Sequence, residues 1–244
     1  MIRSLSAANL LLALAVWTGL DDPESRRSAA APRRWVGVAE IRRVLATPAV
    51  WAIAAVILAA YTAYWGTYYF TPWASDVFGA SAAAGGAVGV ARNWLKPAGA
   101  VGAGLLADRA GVARTVTGCF AALLLAFAFF AAAPESRSPY GLFVAVGAVA
   151  ALATFGLRGI YYALLEEGGV PRAVTGTATG VVSVVGYTPD IFVPLVGGVI
   201  LDAYPGEAGY RHFFGLNAIV CGVGLAAALF LVRRASGRKP SAPP

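Results

Sequence analysis

Long apolar segments separated by short polar ones make up most of the chain. All but the first have roughly the 17–25 residues that a helix needs to cross the hydrocarbon core of a bilayer. These apolar windows run over Leu5–Leu20, Val50–Phe70, Ala82–Leu106, Thr115–Ala133, Gly141–Leu165, Thr175–Leu201 and Phe213–Val232. Strands of alternating polarity are absent from the pattern, and backbone groups in lipid must be hydrogen-bonded within their own segment. The pattern therefore predicts an all-α polytopic membrane protein.

Composition points to the same class. Hydrophobic residues make up 59% of the 244 residues and charged residues 13%, and the mean hydropathy is +0.69. Soluble domains are about half apolar and a quarter charged. This chain has more apolar surface than a globular core can bury, so its solvent is predicted to be lipid.

One long polar segment, Asp21–Pro48, divides the chain. We interpret residues 1–20 as the end of a preceding membrane helix and residues 21–48 as a basic cytoplasmic linker. Residues 49–234 then form a six-helix bundle, and residues 235–244 form a cytoplasmic tail. The first window is short and follows Met-Ile-Arg-Ser, so the alternative is the apolar region of a signal peptide.

Lysine and arginine are distributed unevenly over the two predicted membrane faces. With the linker in the cytoplasm, alternating crossings leave three basic residues on the opposite face, Arg3, Arg137 and Arg211. The cytoplasmic face receives Arg26, Arg27, Arg33, Arg34, Arg42, Arg43, Arg109, Arg114, Arg172, Arg233, Arg234, Arg238 and Lys239. Because basic loops stay on the cytoplasmic side, we expect a multi-pass inner-membrane protein whose linker and C-terminus are cytoplasmic. Membrane lipid accounts for these loop charges, and nucleic acid is not an expected partner.

An acid–base pair interrupts the apolar sequence between the third and fourth windows, in Gly104-Leu-Leu-Ala-Asp108-Arg109-Ala-Gly111. The glycines permit close backbone approach, and we expect Asp108 to accept hydrogen bonds from the free amides of a neighbouring helix N-terminus. The spacing resembles the signature loop of the major facilitator superfamily, although only Arg114 remains of the basic residues that usually follow. A polar hairpin turn is the simpler interpretation.

The resemblance implies a position within that family. The family carries this loop between its second and third helices and, in a weaker copy, between its eighth and ninth. A degenerate copy after a basic linker implies helices seven to twelve, so the chain resembles a C-terminal six-helix half of a secondary transporter, an antiporter or symporter. Such halves bind substrate between them near the membrane midplane. The loop residues Gly104, Asp108, Arg109, Gly111 and Arg114 would form a cytoplasmic gate.

The missing partner is then an N-terminal six-helix half or a second chain. The alternative to a transporter is a non-transporting six-helix module, or a truncated product, that assembles with a partner half.

Four ionisable residues fall inside the predicted membrane helices: Arg92, Lys96, Arg158 and Asp190. Each charge at the bilayer centre costs about 2.5–3.5 kcal/mol on insertion scales, so we expect them to face a cavity or one another. Arg92 and Lys96 are one turn apart on one helix face, where two like charges favour a bound anion. Pairing between helices is the alternative for Arg92, and snorkelling to the interface is the alternative for Arg158. Asp190 is predicted to be a counter-charge or a proton site.

Three tyrosines, Tyr61, Tyr64 and Tyr68, share one side of the second window. Such aromatic stripes usually serve in packing or as interface anchors. Beside an electropositive cavity their hydroxyls would bind an oxyanion, so we predict that they and the three cations bind a small anionic organic solute. The stretches SVVGYTPDIFVPLVGGVILDAYPG and YYFTPWASDVFGAS also resemble transporters related to organic-anion and organophosphate exchangers.

Motifs of the main membrane-enzyme classes are missing from the sequence. HExxH, the nucleotide-binding P-loop and GxSxG do not occur, and His212 is the only histidine. We therefore expect no enzymatic activity, no metal ion and no cofactor.

Overall fold

A computed structural model of the chain describes Leu14 and residues 37–132, 140–171 and 174–236. The chain divides into two compact units, Met1–Gly37 and Val38–Pro244, and of the first only Leu14 and Gly37 are described. The predictions for the first window, most of the linker and the tail from residue 237 lie outside the described residues. Within the described part of the second unit the chain is α-helical and has no strand.

The described helices follow the predicted windows closely. They are α1 (Val38–Leu45), α2 (Pro48–Tyr68), α3 (Phe70–Asp76), α4 (Ala82–Ala110), α5 (Val112–Ala132), α6 (Tyr140–Ile160), α7 (Leu164–Glu167), α8 (Thr175–Gly186), α9 (Pro189–Ala203) and α10 (Glu207–Ser236). A 3₁₀ turn, Tyr161–Ala163, joins α6 to α7. Helix α1 lies in the segment interpreted as a linker.

Five helical segments among the described residues are long and apolar enough to cross a membrane. They are Pro48–Asp76, Val112–Ala132, Tyr140–Glu167, Thr175–Ala203 and Glu207–Ser236. Helix α4 is also long enough, since its 29 residues extend about 44 Å at 1.5 Å per residue. Its charged residues, among them Arg92, Lys96, Asp108 and Arg109, lower its hydropathy. The sequence predicts α4 as a span nonetheless, and its packing supports that prediction.

Small residues bring α4 against α6. A Cβ atom on Gly99 of α4 would lie 2.7 Å from the carbonyl oxygen of Leu152, and one on Gly156 of α6 would lie 2.9 Å from the Cβ of Ala103. Lipid removes most of the hydrophobic driving force between helices, so close backbone contact at small residues is what holds membrane helices together. Helix α4 therefore packs along a membrane-spanning partner.

Prolines divide one span and leave another continuous. Helix α8 ends at Gly186 and α9 begins at Pro189, so the span is broken just before Asp190. Helix α9 continues through Pro194, and α4 continues through Pro97. A proline inside a helix removes one backbone donor, and packing against neighbouring helices offsets that loss.

The helices alternate in direction, and this places most described basic residues at one end of the bundle. At this end, which we call the basic end, the backbone N–H of Ala113 donates to Glu167 Oε2 at 2.9 Å. At the opposite end the Tyr210 hydroxyl donates to Asp76 Oδ2 at 2.6 Å. The described residues at the basic end include Arg42, Arg43, Arg109, Arg114, Arg233 and Arg234. This grouping agrees with the predicted topology; which membrane face the basic end occupies remains a prediction.

A cluster of aromatic rings packs around α3, near the opposite end of the bundle. Trp73, Phe127, Phe130, Phe143 and Phe214 are almost completely buried. The ring centroids of Trp73 and Phe143 are 5.1 Å apart, and those of Phe130 and Phe214 are 5.3 Å apart. Because lipid tails are as apolar as these rings, their interlocked contacts stabilise the bundle more than their removal from water does.

Candidate anion-binding site

Two of the predicted membrane cations share one open cavity of about 270 Å³. Lys96 reaches it from the middle of α4 and Arg158 from α6. Its lining is completed by Tyr64 of α2, Ala100, Phe155 and Gly159. The cavity therefore brings together residues that are far apart in the chain.

Arg158 is held by aromatic side chains. Its Nη2 donates to the Tyr61 hydroxyl at 3.1 Å, and its guanidinium carbon lies 4.3 Å and 4.2 Å from the ring centroids of Tyr61 and Tyr64. The other terminal nitrogen, Nη1, is buried and has no hydrogen-bond partner among the described residues. Ring faces stabilise a cation, yet they leave one strong donor of this guanidinium unsatisfied.

Lys96 lies over one of two neighbouring aromatic rings. Its Nζ is 5.5 Å from the ring centroid of Phe155. The rings of Phe155 and Tyr64 have centroids 6.2 Å apart, and we call this pair the aromatic floor. Lys96 contacts the Phe155 ring and Arg158 contacts the Tyr64 ring, so both cations border the floor and line the same cavity.

Arg92 has a different environment from Lys96, although the two are one turn apart. It is only 6% exposed, and its Nη1 donates to Thr67 Oγ1 at 3.0 Å. Its guanidinium carbon lies 3.7 Å from the ring centroid of Tyr68, and a weaker bond of 3.4 Å joins Nη2 to Asn93 Oδ1. Arg92 lines a small apolar cavity of about 70 Å³ rather than the Lys96–Arg158 cavity. Its direct contact with substrate remains a prediction.

The three predicted tyrosines connect these arginines. The hydroxyls of Tyr64 and Tyr68 are 2.7 Å apart, so one donates to the other. Tyr64 contacts Arg158, Tyr68 contacts Arg92, and Tyr61 accepts the bond from Arg158. The stripe predicted on α2 is thus one side of an arginine–tyrosine network.

A second group of hydroxyls was not predicted from the sequence. The Tyr162 hydroxyl lies 2.8 Å from Ser183 Oγ and 2.5 Å from the Tyr187 hydroxyl. The ring of Tyr187 in turn lies 4.5 Å from that of Tyr61, centroid to centroid. These contacts join the end of α6 to α8 beside Arg158. In the sequence, the only indication of these hydroxyl contacts is that polar residues interrupt otherwise apolar windows.

Asp190 is exposed in the first turn of α9, where the helix dipole favours an anion. Its Oδ1 accepts a hydrogen bond of 2.7 Å from Nε1 of Trp65. Among the described residues it forms no ion pair with Arg92 or Lys96. The partner is therefore an indole N–H, which sequence reasoning missed. Asp190 remains a predicted proton or counter-charge site.

The signature-like loop differs from the expectation in its cap. Gly111 ends α4 with a positive φ of 91°, which favours glycine. The free amide at the start of α5, on Ala113, donates to Glu167 rather than to Asp108. Asp108 is exposed and makes no hydrogen bond or ion pair within the described residues. The expectation that Asp108 caps the neighbouring helix is therefore wrong, because the carboxylate at the end of α7 occupies that position.

Comparison with known proteins assigns the family. The sequence model described as Major Facilitator Superfamily matches residues 4–189, which is more than half of the chain. The chain belongs to the major facilitator superfamily. Members of this family are all-α polytopic membrane transporters, which agrees with the fold described above. No solved structure matches the chain with statistical significance.

Two curated proteins similar to this chain come from Escherichia coli strain K12. The inner membrane protein YihN is 28% identical over 199 residues, covering 80% of this chain and 47% of YihN. The inner membrane protein YqcE is 25% identical over 224 residues, covering 89% of this chain and 52% of YqcE. The chain thus spans about half the length of these relatives. Their location is consistent with a multi-pass inner-membrane protein.

Proposed function

We propose that this chain is the C-terminal six-helix half of a secondary transporter that moves a small anionic organic solute by alternating access. The observation that carries the proposal is the cavity that Lys96 and Arg158 share. Neither cation has a carboxylate partner among the described residues, and one guanidinium nitrogen is buried without any acceptor. An uncompensated charge inside a membrane protein is costly. A bound anion removes that cost.

The cavity also favours a solute that has an apolar part. Its two cations border the aromatic floor, and the floor itself offers ring surface. A carboxylate or phosphate bound to Arg158 and Lys96 would place its carbon skeleton on Tyr64 and Phe155. The volume of about 270 Å³ is slightly below that of a typical complete ligand site. The remaining wall would come from the N-terminal half.

In this proposal Arg92 acts on the site through the tyrosines. Its stacking on Tyr68 fixes that ring, and the Tyr68 hydroxyl fixes the hydroxyl of Tyr64 at the cavity. Asp190 serves as the proton or counter-charge site, held by Trp65. The exposed loop residues Asp108 and Arg109 are free to dock on the partner half as a cytoplasmic gate.

Uptake measurements on the complete protein test this function. Proteoliposomes containing both halves are assayed with a panel of radiolabelled organic carboxylates and phosphates. Arg158→Gln removes a charge-assisted bond of about 1.5–3 kcal/mol, so we expect the KM of the transported anion to rise about 10–150-fold. Arg211→Gln is the matched control, because Arg211 is exposed at the opposite end and lies 4.0 Å from Glu207.

Two outcomes contradict the proposal. Equal KM values for the Arg158→Gln and Arg211→Gln variants would show that the cavity does not bind the transported anion. Absence of uptake for every anion, in a preparation where both halves are shown to assemble, would favour the alternative of a non-transporting module.

Asp190→Asn is expected to remove the dependence of uptake on a pH gradient while anion binding persists.

A further inference from the structure

Helix α1 carries an apolar stripe that the bundle leaves exposed. Val38, Ile41 and Leu45 are 82%, 39% and 43% exposed, whereas Val44 is 2% exposed. At 100° per residue the three exposed side chains fall within an arc of about 60°. Val44 borders one edge of this arc and packs on the bundle, while Arg42 borders the other edge.

The order of these side chains around the helix matches the environment of a membrane surface. Moving around α1, the chain presents first the bundle side at Val44, then the apolar stripe, then Arg42, and then the polar side with Ala39, Arg43 and Glu40. A helix at the boundary between acyl chains and headgroups needs an apolar face, flanking basic residues and a polar face towards water. Arginine beside the stripe can keep its stem in the apolar layer and its charge at the headgroups.

The attachment of α1 to the bundle fixes it at this depth. Only Ala46 and Thr47 separate α1 from the membrane span that begins at Pro48. The indole Nε1 of Trp51, in the first turns of α2, donates to the carbonyl oxygen of Leu45 at 2.8 Å. Trp51 is itself 48% exposed, and exposed tryptophan is typical of the headgroup region. Helix α1 therefore leaves the span where acyl chains meet water.

We propose that α1 is an interfacial helix that inserts Val38, Ile41 and Leu45 between the lipids of the leaflet at the basic end and binds anionic headgroups through Arg42 and Arg43. Charge complementarity selects this occupant, since the stripe lies at the end of the bundle that also holds Arg109, Arg114, Arg233 and Arg234. An anionic leaflet attracts such a group of basic side chains. This inference does not depend on what the protein transports.

Spin labels on the full chain in vesicles test the insertion. Nitroxides are attached to single cysteines replacing Val38, Ile41 and Leu45, with Ala39 and Glu40 as matched control positions on the same helix. The wild-type chain, whose cysteines are Cys119 and Cys221, is labelled in parallel as the background. Collision with oxygen, which partitions into lipid, is compared with collision with a water-soluble nickel chelate. The stripe positions are expected to favour oxygen, and the control positions to favour nickel.

Headgroup recognition is tested with quenching lipids. A fluorophore at Ile41→Cys is read in vesicles containing brominated phosphatidylglycerol or brominated phosphatidylcholine at equal fractions. We expect stronger quenching by the anionic lipid, and its enrichment to fall about fivefold for each arginine replaced in Arg42→Gln and Arg43→Gln. Arg211→Gln, at the opposite end, is expected to leave quenching unchanged.

Three results would overturn the proposal. Equal access of nickel to stripe and control positions would place α1 in water. Protection of the stripe from both collision reagents would mean that protein, such as a partner half, covers it. Equal quenching by the two brominated lipids would remove the role of the arginines.

Discussion

Replacing Gly99 with alanine tests the contact that places α4 in the bundle. The new Cβ would lie 2.7 Å from the Leu152 carbonyl oxygen and 3.1 Å from the Phe155 Cβ. Both atoms are rigid, so α4 and α6 must separate, and such overpacking costs about 1–3 kcal/mol. Alanine also favours the helix over glycine by about 0.5–1 kcal/mol. The net change combines these two opposed effects.

Gly102→Ala is the matched control for that measurement. It lies in the same helix, but a Cβ there would have no atom within 4 Å. Only the gain in helix propensity applies to it, so we expect the free energy of unfolding to rise by about 0.5–1 kcal/mol. Gly99→Ala should therefore be less stable than Gly102→Ala by about 1–3 kcal/mol.

Equilibrium unfolding of the chain provides the assay. Sodium dodecyl sulfate is titrated into dodecyl maltoside micelles, and helix content is followed by far-ultraviolet circular dichroism. Equal stabilities of the Gly99→Ala and Gly102→Ala variants would refute the close packing of α4 on α6. The membrane cations of α4 would then lack the scaffold that brings Lys96 beside Arg158.

Three further substitutions test polar contacts at the two ends of the bundle. Glu167→Ala removes the acceptor for the Ala113 amide and should lower the free energy of unfolding by about 0.5–2 kcal/mol. Asp108→Ala should change it by less than about 0.5 kcal/mol. The same titration measures both variants, and equal effects would contradict the assignment of the cap. Tyr210→Phe removes the hydrogen bond to Asp76 and should lower the free energy of unfolding by about 1.5–3 kcal/mol, because the acceptor is a carboxylate. An unchanged midpoint in that titration would mean that the bond contributes nothing to stability.

Sequence pattern predicted the helices well because membrane spans follow from hydropathy alone. The predicted window Thr115–Ala133, for example, differs from helix α5 by only a few residues at its ends. Helix α1 escaped prediction because eight residues in a charged segment carry no span-length signal.

The candidate site was predictable in its residue types and not in its partners. Charges in apolar windows marked Lys96 and Arg158, because lipid makes such charges expensive. Their neighbours depend on how helices rotate against one another, which no local pattern specifies. The bond from Trp65 to Asp190 joins positions 125 residues apart. In the same way, no local pattern distinguishes Glu167 from Asp108 as the cap of α5.

Cysteine modification tests most directly whether Lys96 and Arg158 border a water-accessible cavity that favours anions. Ala100 lines this cavity, so Ala100→Cys places a thiol inside it, and the wild-type chain supplies the background. The rate of modification by the anionic sulfonatoethyl methanethiosulfonate is compared with that by the cationic trimethylammonioethyl reagent, each normalised to free cysteine. We expect modification with a severalfold preference for the anionic reagent, and loss of that preference on adding Lys96→Gln. Lack of reaction with either reagent, or a preference for the cationic one, would contradict a water-accessible cavity that favours anions.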